Sequence, residues 1–318
     1  MEHKKILNVL VVILVLSCVT VTGVIFKLRS EIFYLPGKAA DDIVKILAES
    51  NIKIDRELVG TKKERGSVYV CNTGDYNTTV AGLLSGEKVK YVFAIPEGEL
   101  IVMDNGARFE FGGGFSFRYT RSGKTENVTD AVIADNFSER PSEQKIAEIT
   151  SVVTDFMERG SEEFKVGGSM DIITSVERIW ENGGKYYALC SRSIGGVEVN
   201  DNKVFCTVEG GEVISASGTW CFLTIGDSYS AQLCDIINIL FNVKKELGAS
   251  ENEVTIKAIE KCYSLYTYGE NEDFCLIPCM KVVTDNAGEL IYNAIDGTIY
   301  TKNKLQNDGK MCKIVMKY

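Results

Sequence analysis

From Ile6 to Phe26 the chain reads ILNVLVVILVLSCVTVTGVIF, 21 residues without a charge. As a helix rising about 1.5 Å per residue, such a run matches the ~30 Å apolar thickness of a bilayer. Asn8, Ser17, Thr20 and Thr22 interrupt it, but their side chains can bond within the helix or to a neighbouring one. A cleaved leader fits less well, because leader cores run about 7–15 residues and no Ala-x-Ala-like site follows. The spacing predicts a transmembrane helix over 6–26 behind a short cytoplasmic tail, residues 1–5. Lys4 and Lys5 before the run balance Lys27 and Arg29 after it, so the flanking charges do not orient it. With all the foldable sequence after the run, the expected topology is single-pass in the cell membrane, N-terminus cytoplasmic and C-terminal domain extracytoplasmic.

Charge and composition then exclude whole classes of function. Taking the two acids and four bases before residue 32 from totals of 44 and 35 leaves 42 acids against 31 bases, a net −11. Such a domain is repelled by nucleic acid and by anionic lipid surfaces. The one histidine is His3, ahead of the apolar run. The outer domain therefore lacks an imidazole for Ser/His or Cys/His nucleophilic catalysis or for the common zinc hydrolases. It has no phosphate-binding loop between strand and helix. Gly112-Gly113-Gly114 reads as a turn or bulge, because no helix follows it. Acids are plentiful, but no carboxylate pair stands out. The sequence thus points to no catalytic, cofactor-binding or metal-binding residue, and to a non-enzymatic protein without a cofactor.

Cysteine is abundant: Cys18 in the apolar run and nine more beyond it, the last being Cys312. An odd number leaves at least one outside any intrachain disulfide. Disulfides and buried thiols are both open readings. Many of these cysteines sit in apolar runs such as VFCTV and KCYSLY, where Cys acts as a small hydrophobe. Cys275 and Cys279 read as packing residues.

Hydrophobic periodicity gives an α+β fold class. Residues 38–51 follow helical spacing, with Asp41 and Asp42 early. Strand-like runs fill 66–135, with a short helix near 78–84. A helix follows over 141–160, striped by Ile146, Ile149, Val153 and Phe156. Strands run over 171–219, then a second strong helix over 230–248, then strands over 253–302. The organisation expected is a first α+β subdomain at 32–138 and a second at 139–318. The second holds two repeats of a helix plus a four-stranded antiparallel sheet, 141–219 and 230–302. VFCTVEGGEVI (204–214) aligns with IYNAIDGTIY (291–300). Glu209-Gly210 and Asp296-Gly297 then fall at hairpin turns, where the backbone needs residues tolerant of positive φ.

Several stretches resemble the YycH/YycI family, the membrane-anchored regulators of the WalK/WalR two-component system. DIVKILAESNIKIDRELV is similar to the family's first helix and following strand, and GEVISASGTW to its mid-domain strand. LIPCMKVVTDNAGELIYNAIDGTIY is similar to its closing segment, with Pro278, Asn293, Ala294 and Gly297 on the pattern and Met280 where the pattern has Trp. The PepSY-like group, including the germination protein YpeB, offers a related alternative: an inhibitor or partner of a cell-wall hydrolase. The resemblance implies signal transduction by protein–protein interaction. The partners implied are a WalK-like sensor histidine kinase and a sister YycH/YycI-type protein, with no enzymatic residues. Ser17, Thr20 and Gly23 share one arc of about 120° on the helix, at about 100° per residue. Small and hydroxylated residues let transmembrane helices approach closely, so these three are the candidate contacts to a kinase helix.

Overall fold

The computed structural model describes residues 17–18, 20–22, 37–60, 62, 64–72, 77–96, 98–124, 141–160, 172–222, 224–248, 252–268 and 273–300. Of the apolar run, only Ser17, Cys18 and Thr20–Thr22 are among them, all helical. No helix of the described residues is long and apolar enough to cross a membrane. The expected boundary between 138 and 139 also lies outside the described residues.

The protein is mixed α+β with a large, mainly antiparallel sheet. In chain order come α1 (Gly37–Ala48), β1 (Ile52–Ile54), β2 (Arg65–Asn72), α2 (Asn77–Ser85), β3 (Val89–Ile95), β4 (Gly98–Met103), β5 (Arg108–Gly112) and β6 (Ser116–Thr120). There follow α3 (Glu143–Arg159), β7 (Ile172–Asn182), β8 (Lys185–Ile194), β9 (Val197–Glu209), β10 (Glu212–Thr219) and β11 (Thr224–Gln232). The last are α4 (Ile236–Leu247), β12 (Val254–Tyr268), β13 (Asp273–Thr284) and β14 (Glu289–Asn293). Contacts gather these into two compact units, each assembled from separated stretches of chain.

The first unit draws on Met1–Gly66, Ala231–Glu260 and Met280–Tyr300. Helix α1 buries Ala40, Ile43 and Leu47, and α4 buries Ile239, Leu240 and Val243, each set one helical stripe. They share a core with Ile52, Val59, Ile256, Val282 and Tyr292. Strand β1 lies parallel to β12, Ile52 opposite Val254. The helical pattern over 230–248 starts too early: Ile236 opens α4, and residues up to Gln232 are strand. The Leu233 amide donates to Glu64 O at 3.1 Å and the Cys234 amide to Ala294 O at 2.7 Å. Those bonds keep the backbone out of the helix where side-chain periodicity alone reads as helix.

The second unit draws on Ser67–Ser230, Lys261–Cys279 and Thr301–Tyr318. Strands β3 to β6 form an antiparallel meander that continues through β10 to β9, and β9 also carries β8 and then β7. Helix α3 begins at Ser142, whose hydroxyl caps it by accepting from the Lys145 amide at 3.4 Å. It buries Ile149, Val153, Phe156 and Met157 in a core with Phe109, Tyr119, Cys190, Cys206 and Trp220. A second cluster gathers Tyr69, Cys71, Cys221, Tyr263 and Leu276.

Candidate functional site

Of the residues singled out by the sequence, the transmembrane candidates are described only in part. The Thr20 hydroxyl donates to Ser17 O at 2.9 Å, a bond to the turn before it; Gly23 lies outside the described residues. The turns at Glu209-Gly210 and Asp296-Gly297 differ in construction. Glu209 pairs with Glu212, so Gly210 and Gly211 are the two central residues, at φ 62° and 80°. That double positive φ defines the tight hairpin turn. Lys124 beside Glu209 holds its carboxyl below the usual carboxylate value. The other turn is wider. Asn293 donates its amide to Thr298 O at 2.8 Å, leaving Ala294 to Gly297 as the loop. Asp296 accepts from the Thr298 amide at 2.9 Å and from its hydroxyl at 2.7 Å, and Gly297 takes φ 77°. Asp296 thus braces its own turn, whereas Glu209 is engaged by Lys124 from outside its hairpin.

The second unit holds a cleft of about 290 Å³ lined chiefly by aromatic rings, including Phe111, Phe115, Trp220, Phe222 and Phe274. Its polar side is Glu99, whose carboxylate accepts from the side-chain Nδ2 of Asn77 at 2.9 Å. The cleft exists because the chain leaves the sheet at the end of β10, and Trp220-Cys221-Phe222 must satisfy its backbone without a ladder. Phe115 O accepts from the Trp220 amide at 2.9 Å. Asn202 Oδ1 accepts from the Cys221 amide at 2.7 Å, and Arg192 Nη1 donates to Cys221 O. Asn202 and Arg192 are both buried, at 1% and 3% exposure. Phe115 sits at φ 61°, a left-handed conformation that costs an aromatic residue about 1–2 kcal/mol. Its ring meets Phe274 edge-on at 4.7 Å. The Trp220 indole N–H is buried without an acceptor among the described residues. A cleft of this make suits an apolar or aromatic group more than a charged one.

Several thiols and phenols are held in their protonated forms. Burial pushes the Cys71 and Cys275 thiols up to about 12 and the Cys234 thiol up to about 11. Contact with Cys190 and burial raise Cys206 well above its usual value. Burial likewise lifts the Tyr263 and Tyr292 phenols. A thiol attacks and ligates as thiolate, and these four stay protonated at neutral pH. Among the described residues no group of His, Cys, Asp and Glu could hold a metal ion.

The other notable surface is β3, VKYVFAI. Its five central residues are all exposed, with Tyr91, Val92 and Phe93 at 53%, 47% and 49%. Among the described residues it pairs with β4 alone and ends the sheet. Its aromatic content was plain in the sequence, but its place at the edge was not, since only pairing decides which strand is last.

No family model matches the chain, and no curated protein matches it. Among solved structures it is similar to an uncharacterized protein from Eubacterium rectale, at 10% identity and a TM-score of 0.46, covering 79% of this chain and 90% of that one. A likeness at that level assigns neither family nor function.

Proposed function

We propose that the chain is a membrane-anchored, non-enzymatic regulatory protein that binds and modulates a WalK-type sensor histidine kinase. In this reading the 6–26 helix spans the membrane and carries an extracytoplasmic body of repeated helix-plus-sheet units. The observation that carries the reading is the uncharged run from Ile6 to Phe26 set ahead of an acidic body that contains no histidine. Burial at Cys71, Cys234 and Cys275, and contact with Cys190 plus burial at Cys206, push these thiols toward the protonated form, the environment of packing residues and not of activated thiolates. The uncharged 21-residue run and the resemblance to YycH/YycI regulators supply the membrane and the partner. Thr20 directs its hydroxyl to Ser17 O within the helix, which lets the Ser17, Thr20 and Gly23 arc pack closely against a kinase helix.

The test is co-purification of the full chain with the kinase after mild solubilisation, alongside a triple variant with Ser17, Thr20 and Gly23 each changed to Leu. The kinase should accompany the native chain and be lost from the variant at equal expression, with regulation lost in parallel. Signalling unchanged in the variant, or a substrate turned over by the purified chain, overturns the reading. Recovery of a cell-wall hydrolase in place of the kinase transfers the protein to the PepSY-like reading.

A further inference from the structure

Part of the aromatic cleft is lined by backbone without side chains. Gly98 and Gly112 lie opposite each other on β4 and β5, and both line the cleft. Gly98 is required by its own backbone, at φ +152°. Gly112 is not, for it sits at φ −126° and ψ 176°, extended backbone that any residue adopts. The missing side chain at Gly112 leaves peptide groups bare, which is where a ligand can approach a strand closely. Around this patch Phe111, Trp220 and Phe222 are buried rings, while Phe115 and Phe274 are half-buried. All of these residues belong to the second unit.

Size and polarity narrow the occupant. A cavity of about 150 Å³ holds benzene, so a cleft of about 290 Å³ has room for two fused rings. Among the described residues its one charged side chain is Glu99, which stands opposite Phe111 in the β4–β5 ladder. Asn77 engages Glu99 Oε2, and Oε1 has no partner among the described residues. A carboxylate only accepts hydrogen bonds, so the group complementary to it is a donor. That donor is better neutral than cationic. The Arg192 guanidinium already lies 5.6 Å from the centroid of the Trp220 ring, and a buried cation at that wall repels a second one.

We propose that this cleft binds a free, neutral, planar aromatic compound of one or two fused rings that carries an N–H or O–H donor at its edge. The ring lies over the bare backbone of Gly98 and Gly112, and its donor bonds Glu99. The surrounding aromatic side chains supply stacked and edge-on contacts, which are sequence-independent and favour a flat apolar body. Glu99 supplies the orientation, since a single acceptor in an apolar cleft admits the ring one way round. Asn77 is a positioning residue: its bond to Oε2 holds the carboxylate so that Oε1 is left for the ligand. This inference is independent of the kinase reading, which concerns the helix over 6–26.

The experiment is calorimetric titration of the full chain in mild detergent at pH 8, blanked against detergent alone. The probe is benzimidazole, two fused rings with one N–H and no charge at that pH. It should bind one to one with a dissociation constant on the order of 0.1 mM. Its N-methylated form, which keeps the rings and loses the donor, should bind about tenfold more weakly. Glu99→Leu should erase that difference, and Gly112→Val should weaken both compounds by about tenfold or more. Where Gly112→Val fails to fold, Glu99→Leu decides. No binding by the native chain overturns the inference, as does equal binding of the two compounds. A preference for benzimidazole that persists in Glu99→Leu overturns it as well, because the methyl group then acts by its bulk. Tighter binding of protonated benzylamine would show a cation site instead. Tighter binding of a tripeptide with a central tryptophan and blocked ends would show a site for a protein side chain, and each of these results overturns the inference.

Discussion

The Arg192 guanidinium lies 5.6 Å from the centroid of the Trp220 ring and donates to the carbonyl of the next residue, Cys221. The cation is fully buried, and its electrostatic neighbours are the Cys221 and Cys71 thiols. Desolvation lowers its pKa, but a guanidinium stays charged in proteins. Its role is to satisfy backbone that has left the sheet and to hold Trp220 in the wall of the aromatic cleft.

Arg192→Ala should therefore destabilise the protein by about 3 kcal/mol, because it strands a buried carbonyl and empties the volume beneath the indole. Arg192→Met keeps the volume and loses the hydrogen bond and the charge together. It should cost about 1–2 kcal/mol, less than Ala, since the Cys221 carbonyl is still stranded but no cavity opens and a desolvated charge is removed. Urea titration followed by Trp fluorescence separates the two; equal losses would show that the hydrogen bond, not the packing, is what matters.

The buried thiols make stability fall in alkali. An unfolded cysteine ionises near 9.0, whereas folded Cys71 and Cys275 are held up to about 12. Between those values the folded state keeps protons that the unfolded state has released, so stability is complete below about pH 9 and declines toward pH 12. Each thiol contributes a slope of about 1.4 kcal/mol per pH unit within that window. Replacing both with Ala should flatten the pH dependence of the unfolding midpoint. At pH 8 neither native thiol should react with a thiol-directed reagent until the chain is unfolded.

Two glycines in the sheet admit no side chain. Gly98 and Gly218 both take φ +152°, and a Cβ would fall 1.9 Å from Phe111 O at Gly98 and 2.2 Å from Lys203 O at Gly218. Each added methyl would push two strand backbones apart. Gly98→Ala and Gly218→Ala should each cost about 3 kcal/mol or more, while Gly113→Ala, which meets nothing within 4 Å, should stay within about 0.5 kcal/mol. Thermal unfolding of the three variants decides it.

Much of the local structure was legible because local patterns dictate it. The stripe of Ile149, Val153 and Phe156 fixed α3, and acid-Gly pairs marked the hairpin ends. The Gly112–Gly114 run reads as a turn or bulge, and a 3-10 turn spans Gly113–Phe115 between β5 and β6. The periodicity places the start of α4 too early because bonds to Glu64 and Ala294, distant in sequence, keep residues 233 and 234 out of the helix. The cleft was not legible at all. No local pattern marks Asn202 and Arg192 as buried, and only the departure of Trp220-Cys221-Phe222 from the sheet gives them backbone groups to satisfy.

By itself, then, the sequence determined the uncharged run, the acidic body without imidazole, and the alternation of helix and strand, since each depends on residues close together in the chain. Tertiary structure decided which strand stands at the edge, how separated stretches combine into two units, and which polar residues are buried. Those depend on pairings between distant residues. A sheet's edge and a buried cation are properties of what lies alongside, and one-dimensional order does not carry that information.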